Sequence, residues 1–191
     1  MRSKVTIGCL ALMVLGVTSV SFANMLTVER FTFARPPAPE STVDPKDRMS
    51  VAIDRWSTEA DRDRLRATVA ESGEGKLLDA FRGVSRVGTL HWPGGLEYAV
   101  LYARSHSRPD GGTDVVLVVD RPLWRWWESK DAATTYAYTV VQLRLDKDGK
   151  GEGRLSLDVP VTRDDTFGVM LADYSKAPVV LVDVRREKQT T

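Results

Sequence analysis

The chain has 191 residues, 27 Lys and Arg against 26 Asp and Glu, and a single cysteine, Cys9. So balanced a charge supplies no basic field for nucleic acid or for an anionic membrane surface. A lone thiol excludes an intramolecular disulfide framework.

Arg2 and Lys4 precede an uncharged stretch from Val5 to Ala23, and Ser21-Phe22-Ala23 supplies small residues at the two positions a signal peptidase reads. This pattern predicts a secretory signal peptide over residues 1–23, cleaved before Asn24. Thr6, Gly8, Gly16, Thr18 and Ser19 dilute the apolar run. It falls short of the roughly 20 strongly apolar residues of a spanning helix, so no membrane insertion is expected after cleavage. Residues 24–191 then form a cysteine-free chain with 25 basic and 26 acidic side chains. Thiolate catalysis and Cys-based metal sites are excluded from it. A chain of that size buries roughly 70% of its unfolded surface and forms one domain without covalent staples. Arginine outnumbers lysine 19 to 8. The arginines are spread along the whole chain, which reads as composition rather than as an anion site.

Residues 26–35 predict a first strand in which Leu26 and Val28 share a face and Phe31 and Phe33 take the other parity. That switch points to a bulge near Glu29-Arg30. Residues 36–48 hold Pro36, Pro37, Pro39 and Pro45 and read as a loop. Met49, Val51 and Ile53 then alternate with polar or small residues, as in a half-buried strand. A helical insertion follows over 58–84. Ser57 or Thr58 caps it, Glu59, Asp61 and Asp63 suit its positive end, and Leu65 and Val69 form its apolar side. Gly73 and Gly75 end this helix. Leu77, Leu78, Phe81 and Val84 predict a second short one closing at Gly83.

From Arg86 the period becomes two. Tyr98, Val100 and Tyr102 occupy one face of a strand and Ala99, Leu101 and Ala103 the other. The unbroken apolar run Val115–Val119 fits a strand covered on both faces. In the next hairpin, Thr139, Val141, Leu143 and Leu145 face one way; past the turn, Leu155, Leu157, Val159 and Val161 do likewise. Folding about Lys150 sets Leu143 opposite Leu157 and Val141 opposite Val159, and a one-residue slip would put every one of them in water. Phe167, Val169 and Leu171 predict another strand, and Val180, Val182 and Val184 a last one. The fold class is α+β: about nine mostly antiparallel strands, sandwich or barrel-like, with a short helical insertion after the second strand.

Chemistry is sparse. Asp146-Lys147-Asp148-Gly149-Lys150-Gly151-Glu152-Gly153 resembles a calcium loop, but an EF-hand begun at Asp146 would place Lys150 and Leu157 where oxygen ligands belong. A glycine-rich hairpin turn accounts for it. His91 and His106 are the two candidates for a neutral-pH base. If the Pro93-Gly94-Gly95 turn joins their strands, His91 falls opposite a residue near Glu97 and His106 lies well beyond. Asp110, Asp114, Asp120 and Glu128 crowd in sequence, yet Asp114 and Asp120 bracket a strand and stand about 20 Å apart at roughly 3.3 Å per residue. No catalytic residue, metal site or cofactor is assigned. Trp124, Arg125, Trp126 and Trp127 are the binding candidates, because Trp and Arg dominate interaction hot spots. The competing reading is that these rings cap the open end of the sheet.

At Asp54-Arg55-Trp56-Ser57-Thr58, Arg86-Val87-Gly88, Tyr102-Ala103-Arg104, Pro109-Asp110-Gly111-Gly112, Asp120-Arg121-Pro122 and the segment Leu143–Gly153, the sequence resembles a group of exported bacterial proteins with no assigned activity. The resemblance implies an exported, single-domain product and brings no catalytic residues. The expected function is a non-catalytic binding or interaction module of the cell envelope, periplasmic or extracellular, whose partner is a protein or a small-molecule ligand. The alternative is a small extracytoplasmic hydrolase using a His/carboxylate pair.

Overall fold

The computed structural model describes residues 28–34, 36, 48–92, 96–123, 137–156, 160–176 and 179–187. The expected signal peptide and most of the expected proline-rich loop lie outside the described residues; Arg48, expected in that loop, begins a strand. The strands are β1 (Glu29–Ala34), β2 (Arg48–Ile53), β3 (Gly88–Trp92), β4 (Leu96–Ser107), β5 (Thr113–Val119), β6 (Thr139–Leu145), β7 (Lys150–Ser156), β8 (Val161–Asp164), β9 (Gly168–Leu171) and β10 (Val179–Arg186). β1 to β7 and β10 close into one barrel with every neighbouring pair antiparallel, and β8 and β9 form a separate hairpin. The mostly antiparallel architecture is as expected, and of the two forms left open it is the barrel.

Eight strands enclose an interior just wide enough for side chains to fill, and here side chains fill it. Phe31, Phe33, Met49, Leu90, Leu117 and Leu143 are fully buried in this inner core. Gly153 makes the packing possible. A Cβ there would lie 2.7 Å from Leu143 Cδ2 and 3.2 Å from Leu181 Cδ1.

A second core lies outside the wall. Val116 and Val118 of β5 and Val140 of β6 point outward, against Leu65, Leu77, Phe81, Phe167 and Val169. The run Val115–Val119 is therefore covered on both faces, as its composition required. The covering layer is α1 (Glu59–Ser72), a 3-10 helix over Glu74–Phe81, and the β8–β9 hairpin. Thr58 caps α1 in a capping box: its Oγ1 accepts from Asp61 N–H, and the Asp61 carboxylate accepts from Thr58 N–H at 2.9 Å. The second expected helix takes the 3-10 form, over Glu74–Phe81.

Five details of register and strand extent differ from the sequence reading. β1 runs in regular register with β2 from Glu29 to Ala34, so no bulge sits at Glu29-Arg30 in that ladder. The shift with β10 falls between Thr32 and Ala34 and arises from an extra residue in β10. β4 carries a bulge at Leu101, between the Val100–Val119 and Tyr102–Val118 pairs. Inward parity passes there from Val100 to Ala103, and Tyr102 turns outward with its hydroxyl donating to Phe167 O at 2.6 Å. The β6–β7 hairpin pairs Val141 with Leu155 and Leu143 with Gly153. The turn centres earlier than Lys150 because Gly149, at φ 75°, takes the left-handed position. Parity is preserved, so the apolar faces still coincide. β7 stops at Ser156, and Val161 opens β8 instead of prolonging β7; Leu157 and Val159 lie outside the described residues. In β10 the inward residues are Val179, Leu181 and Val184, so of Val180, Val182 and Val184 only the last points in, again because of the extra residue.

Candidate functional site

The barrel has two unlike ends. At the first, the chain crosses from β2 to α1 and plugs the opening. Ser57 N–H donates to Ala103 O at 2.8 Å, and Ser57 Oγ accepts from Ala103 N–H at 3.1 Å. This tether sets the Trp56 ring edge-on to Phe31, 6.4 Å between centroids, with its indole N–H on Glu29 Oε1 at 3.1 Å. Arg186 lies over the other side of Phe31, 5.5 Å from the ring centroid. Trp56 thus packs over the core at this end; Trp124, Trp126 and Trp127, the sequence candidates for capping the sheet, lie outside the described residues.

The opposite end receives the connection from β5 to β6. Its described stem is clasped by one side chain, Thr139. The hydroxyl of this buried residue accepts from Leu123 N–H and donates to Arg121 O, both at 3.0 Å. Leu123 and Tyr138 are buried on either side of the clasp. Arg121 pairs with Asp120 at 3.2 Å and lies 5.2 Å from the Tyr98 ring centroid. Trp124, Arg125, Trp126 and Trp127 follow directly on this stem and lie outside the described residues. Where the stem starts and ends was legible as the limits of two strands. The Thr139 clasp was not, since Thr139 read only as an inward residue of β6.

The histidines are not brought together. His91 stands opposite Glu97, as expected, with Nδ1 3.3 Å from Glu97 Oε1. Both side chains are exposed, 42% and 59%, so no wall excludes water from the pair. His106 pairs with Asp114 and lies edge-on to Phe167 at 6.2 Å. The nine steps along β4 from Glu97 to His106 separate the two imidazoles by about 30 Å.

The clustered carboxylates have structural employment. Asp110 and Asp114 converge on Arg108, at 3.2 and 2.6 Å, while the same guanidinium donates to Leu145 O at 3.0 Å. The Gly112 N–H and the Arg108 side chain hold Asp110 below its usual carboxylate range, the opposite of what a general acid needs. Asp120 is committed to Arg121, and Glu128 lies outside the described residues. In the calcium-like segment, Asp146 Oδ1 accepts from the N–H of Asp148 and of Lys150, both at 2.9 Å, so its oxygen serves the turn. Among the described residues no group of three or more His, Cys, Asp or Glu is placed to hold a metal ion.

Two further places were missed by sequence reasoning. A cleft of about 230 Å³ opens between the β4–β5 and β6–β7 turns and the end of β10, bordered by Thr113, Asp146, Lys147, Arg186 and Glu187. On the outer wall Tyr174 lies under Arg144, whose guanidinium is 3.9 Å from the ring centroid, with Arg154 at 5.6 Å. Burial pushes the Tyr174 phenol up to about 12. Beside them in the strand pairing, Gln142 is buried although its row reads as solvent-facing, because the outer layer covers it.

No family model, curated protein or solved structure matches the chain. The segments that carried the resemblance have visible structural work: Asp54–Thr58 plugs the barrel and caps α1, Pro109–Gly112 wraps Arg108, Asp120-Arg121-Pro122 forms the clasped stem, and Leu143–Gly153 makes the tight hairpin.

Proposed function

We propose that the protein is a non-catalytic exported binding or interaction module of the bacterial cell envelope, which takes a protein or small-molecule ligand at the barrel rim where β5 leaves and β6 returns. The observation that carries this reading is the filled interior. With Phe31, Phe33, Met49, Leu117 and Leu143 fully buried inside, a ligand must be met on the surface rather than swallowed. Two facts support it. The described titratable groups that could run catalysis are exposed or tied into ion pairs. The rim also has a rigid stem, held by Thr139, leading into a segment with three tryptophans and an arginine. A rigid stem lowers the entropy cost of presenting such residues to a partner.

The test uses the secreted protein. Trp124→Ala, Trp126→Ala and Trp127→Ala should leave the circular dichroism and melting temperature unchanged while abolishing specific capture of an envelope component by the immobilised protein. Unfolding of the single variants would make the rings core residues and end the reading, as would a folded wild type that captures nothing specific. The export component predicts an intact mass that starts at Asn24.

A further inference from the structure

β10 differs from the other seven barrel strands in losing register with both neighbours at one point. Against β1 its pairing jumps from Arg185–Thr32 to Val182–Ala34, and against β7 from Val184–Gly151 to Leu181–Gly153. Asp183 is therefore paired in neither ladder. It is also the one non-glycine residue with positive φ among the described residues, at 52°. For an Asp this left-handed geometry is tolerable but strained.

Where Asp183 has no ladder partner, side chains bridge the wall. Arg48, the first residue of β2, reaches past β1 to the Asp183 carboxylate and donates to the Asp183 carbonyl at 3.5 Å. Arg185 holds the other carboxylate oxygen at 2.6 Å. The link joins residues 135 apart in sequence, and both partners are about 30% exposed or less. Nearby in β10, Leu181 and Val184 point into the core. Opening a closed barrel requires breaking a ladder somewhere, and a strand with a gap in both ladders offers the fewest bonds to break.

We infer that β10 is the strand along which this barrel opens, and that the Arg48–Asp183 link is the latch that keeps it shut. Opening would expose Leu181, Val184 and the Phe31–Phe33 face without unfolding the outer layer. β3 is the internal control. It too lies in the wall, but in regular register with β2 and with β4.

The test is native-state hydrogen exchange by mass spectrometry. In the wild type, amides of 29–34 and 179–186 should exchange faster than those of 88–92. Arg48→Gln should speed the first two segments by about tenfold, the scale of one lost charge-assisted link, and leave 88–92 unchanged. Asp183→Gly, which relieves the φ strain but deletes the carboxylate, should act in the same direction. Wild-type exchange as slow in 179–186 as in 88–92 overturns the seam. Acceleration that is absent, or equal across all segments, in both variants overturns the latch.

Discussion

The inner and outer cores of this protein are built from the same kinds of side chain but in opposite ways. The inner core draws on all eight barrel strands, and alternation puts every second residue into a space sealed by the wall itself. The outer core rests on one stretch of that wall, β4 to β6, and is roofed by pieces that have little cohesion alone. α1 contributes one buried residue, Leu65, and its partly buried neighbour Val69. Polar hydrogen bonds stitch the roof to the wall and to itself, among them Tyr102 to Phe167 O, Tyr138 to Glu74 O, Val161 N–H to Glu74 Oε2, and Ala172 N–H to Pro160 O. The contrast teaches that β5, shared by both cores, is the keystone, and that the roof depends on the barrel more than the barrel on the roof.

The sharpest way to break this comparison is Leu117→Ala. Leu117 is fully buried inside, and its truncation should cost about 3 kcal/mol, read as a lower urea midpoint with unchanged slope because the whole barrel melts together. Leu65→Ala, at an equally buried position in the roof, should cost about 2 kcal/mol, since the surface helix can settle toward the cavity. Its signature should be local: faster proteolysis within 59–81 while barrel amides keep their protection. Equal losses with one common transition would erase the distinction between the two cores. Thr58→Ala should cost about 1 kcal/mol through the capping box, seen as fraying of the first turn of α1 in hydrogen exchange.

The smallest effect is confined to alkaline pH. An ordinary tyrosine ionises near 10, whereas burial holds the Tyr174 phenol at about 12. The neutral form is the one the fold favours, so this contribution is whole below pH 10 and is lost as pH rises from 10 through 12. Tyr174→Phe should flatten that part of the alkaline stability curve and leave stability near pH 7 insensitive to pH. An unaltered alkaline limb in the variant would show that Tyr174 is not part of the roof's buried contact with Arg144.

Much of this was legible before any coordinates. The β6 alternation, the doubly covered Val115–Val119, the cap at Thr58 and the His91–Glu97 pairing all follow from local rules in which side-chain period and turn chemistry suffice. The parity of Tyr102, Val180 and Val182 was not, because a bulge is invisible in composition: one residue more or less is decided by how neighbouring strands must curve to meet. Trp56 went unassigned for a related reason. Its ring finds Phe31 only after Ser57 is tethered to Ala103, a contact between distant parts of the chain.

Composition and periodicity alone determined that the chain forms a disulfide-free, mostly antiparallel β fold with one helical excursion, since these depend on neighbours along the chain. Only the tertiary structure decided that the sheet closes on itself, that its interior is filled, and that Asp183 rather than a glycine occupies the irregular point of the wall. Closure requires β1 to meet β10 and Arg48 to meet Asp183 across 135 residues. Pairings that remote are selected by the total burial they achieve together, which no local stretch of sequence encodes.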